Sequence, residues 1–123
     1  KCCRMIKRHL ELGWDDTYGG IMLALDIDGK KPVAWNRNEC KPWWAHVEAL
    51  VATAAAWKHT GEDWALEWHR KVHDYAFAHY PSPYGEWVQW LDREGNKAES
   101  AALPVKDPFH LPRGLIELIN LLE

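Results

Sequence analysis

Apolar and polar positions follow two periods along the chain, and the changes of period predict helix, hairpin, helix, helix, hairpin, helix. Between Gly13 and Trp35 the period is two. Tyr18-Gly19-Gly20 opens the segment, Ile21, Leu23, Leu25 and Ile27 alternate on one face, and Asp28-Gly29 supplies a turn. From about Pro42 to His59 the period becomes helical. Trp43, Trp44, Val47, Leu50, Val51 and Ala54 to Trp57 make this helix apolar almost all round, as expected of an inner helix enclosed by other elements. From about Gly61 to His79 a single stripe of Trp64, Trp68, Val72, Tyr75 and His79, with Glu67 and Lys71 at i, i+4 on the charged side, predicts an outer helix. Thr60 with Asp63 forms a weak capping-box variant at its start, and Pro81 and Pro83 stop it. A last helix is expected from His110, with Pro112 in the first turn and Leu111, Leu115, Leu118, Ile119 and Leu122 as a buried stripe. The amino end, Lys1 to His9, reads as a helix entered part-way.

The pattern repeats. At an offset of 66 residues, without gaps, Tyr18-Gly19 falls on Tyr84-Gly85, Asp26 on Asp92, Asp28-Gly29 on Glu94-Gly95 and Pro42-Trp43-Trp44 on Pro108-Phe109-His110. Each hairpin therefore leads into an inner helix through Pro-aromatic-x, and Trp44 and His110 occupy equivalent places. A unit of hairpin, inner helix and outer helix buries its inner helix only by stacking on further copies, and fewer than two copies are present. Closure of six helix pairs into a ring would need about 400 residues at this repeat length. The expected fold is therefore all-α: residues 1–123 as the carboxyl-terminal portion of an (α/α)6 barrel, a six-hairpin toroid with short β-hairpins between inner and outer helices.

Charge and composition narrow the partners. Fifteen Lys and Arg against 18 Asp and Glu leave a net charge of −3, with no basic surplus for phosphates or anionic lipid. The longest mostly apolar run free of charge, Ala49 to Trp57, is far short of the ~20 residues that span a bilayer. Neither nucleic acid nor membrane is expected as a partner. Cys2, Cys3 and Cys40 are odd in number and lack zinc spacing, and the amino end lacks an apolar run long enough for a secretory signal, so a reducing cytoplasm is expected. Nine Trp and seven His in 123 residues supply flat apolar faces and near-neutral titrating groups of the kind a sugar-handling cleft uses.

Several residues are candidates for chemistry. Glu48 interrupts an apolar helix, where an unpaired charge costs several kcal/mol, roughly, and Trp44 lies one turn earlier on the same face. Indole beside carboxylate suits a sugar, whose C–H face packs on the ring while its hydroxyls bond to oxygen. Glu48 paired with an Arg of a neighbouring helix is the plainer reading. His110, at a helix amino terminus, suits a general base, its tautomer fixed by Asp107 or a backbone carbonyl; an ordinary packing histidine is the alternative. Arg113 reads as a partner of Glu48, a hydroxyl ligand or a structural ion pair. His46, nearly opposite Glu48 on the helix, is expected to pack against the outer layer. His69 and His73 have metal-ligand spacing but no third ligand in view, so no metal is assigned. Glu86 reads equally as hairpin support or ligand contact. No P-loop, dinucleotide fingerprint or serine nucleophile elbow occurs.

Lys41-Pro42-Trp43-Trp44-Ala45-His46-Val47-Glu48-Ala49-Leu50, then Tyr84-Gly85-Glu86-Trp87, then Pro108-Phe109-His110-Leu111-Pro112-Arg113 resemble the carboxyl-terminal motifs of the N-acylglucosamine 2-epimerase family, from Gly13-Trp14-Asp15 onward. The resemblance implies an (α/α)6 barrel with a central cleft and an isomerase that opens a sugar ring and inverts C2 through an enolate. His110 resembles one of two family histidines acting as general acid and base, and Glu48 the carboxylate that assists at the hydroxyl and ring-oxygen end. Trp44, with Trp43 beside it and Arg113, is expected to bind substrate. The second histidine and an active-site Arg belong upstream of this stretch, so the 123-residue piece alone is expected to be inactive and prone to associate. The resemblance implies no cofactor, admits ATP as an activator and a homodimer, and gives a small-molecule sugar as the substrate. The Phe109 to Arg113 segment and His46 are closer to the N-acylglucosamine branch than to the cellobiose or isomerase branches, and the run Ala98 to Lys106 is expected at the cleft rim. An aldose-ketose isomerase of the same fold, or a non-catalytic module binding carbohydrate or protein through its aromatic surface, are the alternatives.

Overall fold

A computed structural model describes residues 1–26, 28, 37–98 and 109–123. Its elements are α1 (Cys2–Gly13), β1 (Lys41–Pro42), α2 (Trp43–Thr60), α3 (Asp63–His79), β2 (Trp90–Leu91) and α4 (His110–Leu122). α2 starts where Pro42, extended at φ −83° and ψ 141°, turns into the helix, and it stops at Gly61, whose φ of 69° lets its N–H bond back to the Trp57 carbonyl at 2.8 Å. Because Thr60 is the last residue of α2, it does not cap α3. Its hydroxyl bonds to the Ala56 carbonyl, and α3 begins after Glu62 without a side-chain cap, contrary to the capping box expected at Thr60 and Asp63.

α2 is the inner helix, packed against both α3 and α4, while α1 lies against both α2 and α3. The core joins Leu10 and Trp14 to Ala49, Leu50 and Ala54 of α2, to Val72, Tyr75, Ala76 and Tyr80, and to Leu91 and Leu118. On α4 the buried positions are Gly114 and Leu118, with Leu115 and Leu121 packed against the core. Ile119 and Leu122, expected in the buried stripe, are 57% and 61% exposed, because no helix covers that side of α4 among the described residues.

The repeat is visible in the backbone. Gly19 and Gly85 share a positive φ, 74° and 78°, and Asp26 and Asp92 each accept a turn amide at 2.8 Å, from Asp28 and Asn96. Before the glycines the register slips by one residue. The first turn is closed by Asp15 N–H to the Gly20 carbonyl and the second by Ser82 N–H to that of Glu86, so the second turn is one residue shorter, while from Gly19 and Gly85 onward the offset of 66 is kept. β1 pairs antiparallel with β2, Lys41 opposite Leu91 and Pro42 opposite Trp90, tying the entry of one inner helix to the following hairpin. Ile27 and Gly29 of the first hairpin, the run 99–106, Asp107 and Pro108 lie outside the described residues.

Two buried polar groups hold this joint. The Lys41 side chain is fully buried, with Nζ 3.4 Å from Asp15 Oδ2 and donating to the Arg93 carbonyl; Arg93 Nε also donates to Asp15 Oδ2 at 3.3 Å. Burial works to raise the Asp15 carboxyl, but the amides of Thr17 and Tyr18, the Lys41 ammonium and Arg93 outweigh it and hold it below its usual range. His46 packs between the rings of Tyr75 and Tyr80, as expected of a residue facing the outer layer. Ile21 N–H donates to His46 Nε2 at 2.9 Å, so Nδ1 carries the hydrogen and points at the Pro42 carbonyl, 3.0 Å away. Burial pushes this imidazole down to about 4.

Candidate active site

Glu48 lies in the second turn of α2 and meets α4. His110 Nδ1 lies 2.8 Å from Glu48 Oε1, and Arg113 Nη2 donates to the same oxygen. Arg113 Nη1 reaches Glu117 Oε2 at 2.8 Å, and its guanidinium lies over the Phe109 ring. The Trp44 ring stands 6.0 Å from that of His110, tilted by 35°. Three of the five expected site residues, Glu48, His110 and Arg113, therefore form one hydrogen-bonded group, with Trp44 beside it.

The spacing that builds the group is helical. Trp44 and Glu48 are one turn apart on α2, and His110 and Arg113 are three residues apart at the start of α4, so each pair shares a face. Burial would raise the Glu48 carboxyl, but the hydrogen bonds from Arg113 and His110 prevail and hold it below the usual carboxylate range. An ionised carboxylate only accepts, so the His110 Nδ1 facing it carries the hydrogen. In the neutral ring Nε2 then bears the lone pair, the form a general base needs. The partner that sets this tautomer is Glu48. The side chains of Glu48, His110 and Arg113 are 39%, 35% and 29% exposed, so a solute can reach them.

The remaining candidates go elsewhere. Trp43 packs edge-on against Trp90, 6.3 Å between centroids, at the margin of the core. His69 Nδ1 is 3.1 Å from Thr53 Oγ1 and 3.2 Å from the Leu50 carbonyl, joining α3 to α2, while His73 stacks on Phe77. Among the described residues no three His, Cys, Asp or Glu side chains gather as a metal site, and no helix is long and apolar enough to cross a membrane. Glu86 contributes its carbonyl to the second turn. Sequence reasoning missed Gly114, buried against Val47. A glycine inside an apolar helical stripe was the signal available for it.

Comparison with known folds defines the class. The chain superposes on the D-mannose isomerase crystal structure with a TM-score of 0.78 at 19% identity, covering 90% of this chain and 28% of that one. It superposes on cellobiose 2-epimerase from Spirochaeta thermophila DSM 6192 with a TM-score of 0.71 at 20% identity, covering 94% and 27%. Both are (α/α)6 barrels, and the chain has the fold of a portion of one. The family model for N-acylglucosamine 2-epimerase matches residues 1–112, and the chain belongs to that family. It is 37% identical over 107 residues to N-acylglucosamine 2-epimerase of Mus musculus, covering 84% of this chain and 25% of that protein. With the Homo sapiens protein of that name it shares 36% over 107 residues, covering 84% and 24%. The chain thus spans about a quarter of the length of the curated relatives it matches.

Proposed function

We propose that residues 1–123 are the carboxyl-terminal part of a full-length sugar 2-epimerase and carry one half of its acid/base machinery. The observation that carries the reading is the 2.8 Å contact between His110 Nδ1 and Glu48 Oε1, on a face shared with Trp44. In the ring-opened sugar the hydrogen at C2 is next to a carbonyl. His110 Nε2 takes that proton, the C–H electron pair moves into the C1–C2 bond and the carbonyl electrons move onto oxygen, giving a planar enolate. Glu48 holds the imidazole in the required tautomer and stabilises its protonated form. Arg113 keeps Glu48 ionised and in place, and Trp44 packs against the apolar face of the sugar. Inversion requires return of a proton to the opposite face, by a second group across the sugar from His110.

A groove between α3 and α4, lined by Leu50, His69, Phe77, Leu115, Leu118 and Leu122, supports the partial-ring reading.

The test is proton NMR in D2O of N-acetylglucosamine, N-acetylmannosamine, glucose, mannose and cellobiose with the full-length protein and its His110→Ala variant. Deuterium at C2 of one sugar and of its epimer, lost in the variant by about 100-fold or more, is the expected result. A ketose product would assign the isomerase reaction instead. No exchange in any sugar by the folded protein would overturn the catalytic reading.

A further inference from the structure

The meeting of α4 with α2 depends on one missing methyl group. Gly114 lies within α4 in ordinary helical geometry, so no backbone conformation demands glycine there. A Cβ at this position would stand 2.2 Å from Val47 Cγ1, with Val51 Cγ2 at 3.6 Å and Val47 Cβ at 3.7 Å. Ordinary carbon contacts begin near 3.5 Å, so the two helices would have to part by about 1 Å. Val47 is fully buried and, being β-branched in a helix, has little rotamer freedom with which to yield. Val47 adjoins Glu48, Gly114 adjoins Arg113, and His110 lies one turn before Gly114. The close approach is thus made at the same level of both helices as the 2.8 Å contact of His110 with Glu48.

We propose that Gly114 is a positioning residue: by leaving room for Val47 it lets α4 seat close enough on α2 for Glu48 to hold the His110 imidazole and Arg113. The inference rests on the catalytic reading of His110 for its consequence in turnover, though not for its geometry. Glycine inside a helix is less stable than alanine, so a purely local preference favours the larger residue. The packing against Val47 supplies the opposing requirement.

A double-mutant cycle in the full-length protein tests this. Gly114→Ala is made in the native and in the Val47→Ala backgrounds. Folding is followed by circular dichroism, turnover by deuterium exchange at C2, and the His110 ring by two-bond proton–nitrogen correlation spectra, which identify the nitrogen bearing hydrogen. In the native background Gly114→Ala should lower kcat about tenfold to a hundredfold, the cost of a displacement near 1 Å, with KM changed less than about threefold. The Nδ1–H signature of His110 should weaken. In the Val47→Ala background the same substitution should change kcat and signature little, within about twofold. Retention of kcat and signature by Gly114→Ala, or an equal loss in both backgrounds, would overturn the proposal. Should Gly114→Ala not fold, Val47→Ile, which presses a larger side chain on the same spot from α2, is judged by the same criteria. If the native protein turns over no sugar, the ring spectra alone decide on Gly114, so failure of the epimerase reading is recognised separately.

Discussion

Two carboxylates in this chain each bind two basic side chains, and they differ in what surrounds them. Asp15 is 2% exposed and joins Lys41, itself fully buried, to Arg93. Glu48 is 39% exposed and joins His110 to Arg113. Around Asp15 the acceptor capacity is filled by two backbone amides as well as the cations, and the group locks the first hairpin, β1 and the second hairpin together. Around Glu48 the partners are side chains on one facing helix, one of them an imidazole, with solvent at the edge. The same pairing chemistry is a joint of the fold where it is closed and a candidate site where it is open.

Removing one partner from the closed group should have the largest effect. Asp15→Ala leaves the Lys41 ammonium buried without its countercharge, a change that costs about 3–5 kcal/mol of stability in buried pairs. Denaturant unfolding of the full-length protein should register it, and Asp15→Ala with Lys41→Met should recover most of the loss, since two apolar side chains leave no unpaired charge. A single variant within about 1 kcal/mol of the native protein would show that the closed group is not a joint.

The closed region also makes stability depend on pH. His46 is buried and neutral, with a folded value of about 4 against 6.5 for the free side chain. Between those values the unfolded chain binds the proton and the folded chain does not, so stability is highest above pH 6.5 and falls as the pH drops towards 4. The full loss is about 3 kcal/mol, and His46→Gln should flatten the curve over that interval. The depressed carboxyls of Asp15 and Glu48 act lower: their stabilisation is present above the usual carboxylate range and is lost as the pH falls through their folded values. A profile flat from 6.5 to 4 in the native protein would contradict the assignment of His46.

How much of this was readable beforehand follows the range of the interactions. α2 and α3 were legible to within about two residues because periodicity, Gly61 and the prolines after His79 act locally. The pairing of Trp44 with Glu48, and of His110 with Arg113, was legible for the same reason, being helical spacing. That Glu48 receives both His110 and Arg113 depends on how α4 seats on α2, which a single sequence does not encode locally. Lys41 and Asp15 carry no such local signal, because a Lys before Pro42 looks like any solvated loop residue until the second hairpin closes over it. The apolar stripe on α4 is longer than its buried face: Ile119 and Leu122 stand exposed, because apolar spacing alone does not tell which side of a helix a neighbour covers.

The open group gives the smallest change in stability and a large one in rate. Glu48→Gln keeps the shape of the side chain and can still accept from His110, but it removes the charge that steadies the protonated imidazole. Because the pair is half-exposed, stability should change by no more than about 1 kcal/mol. Turnover in the D2O exchange assay should fall by about tenfold to a hundredfold with KM nearly unchanged, the mark of an interaction made chiefly in the transition state. A stability loss as large as that of Asp15→Ala, with exchange intact, would make Glu48 a second joint and transfer the chemistry to other residues.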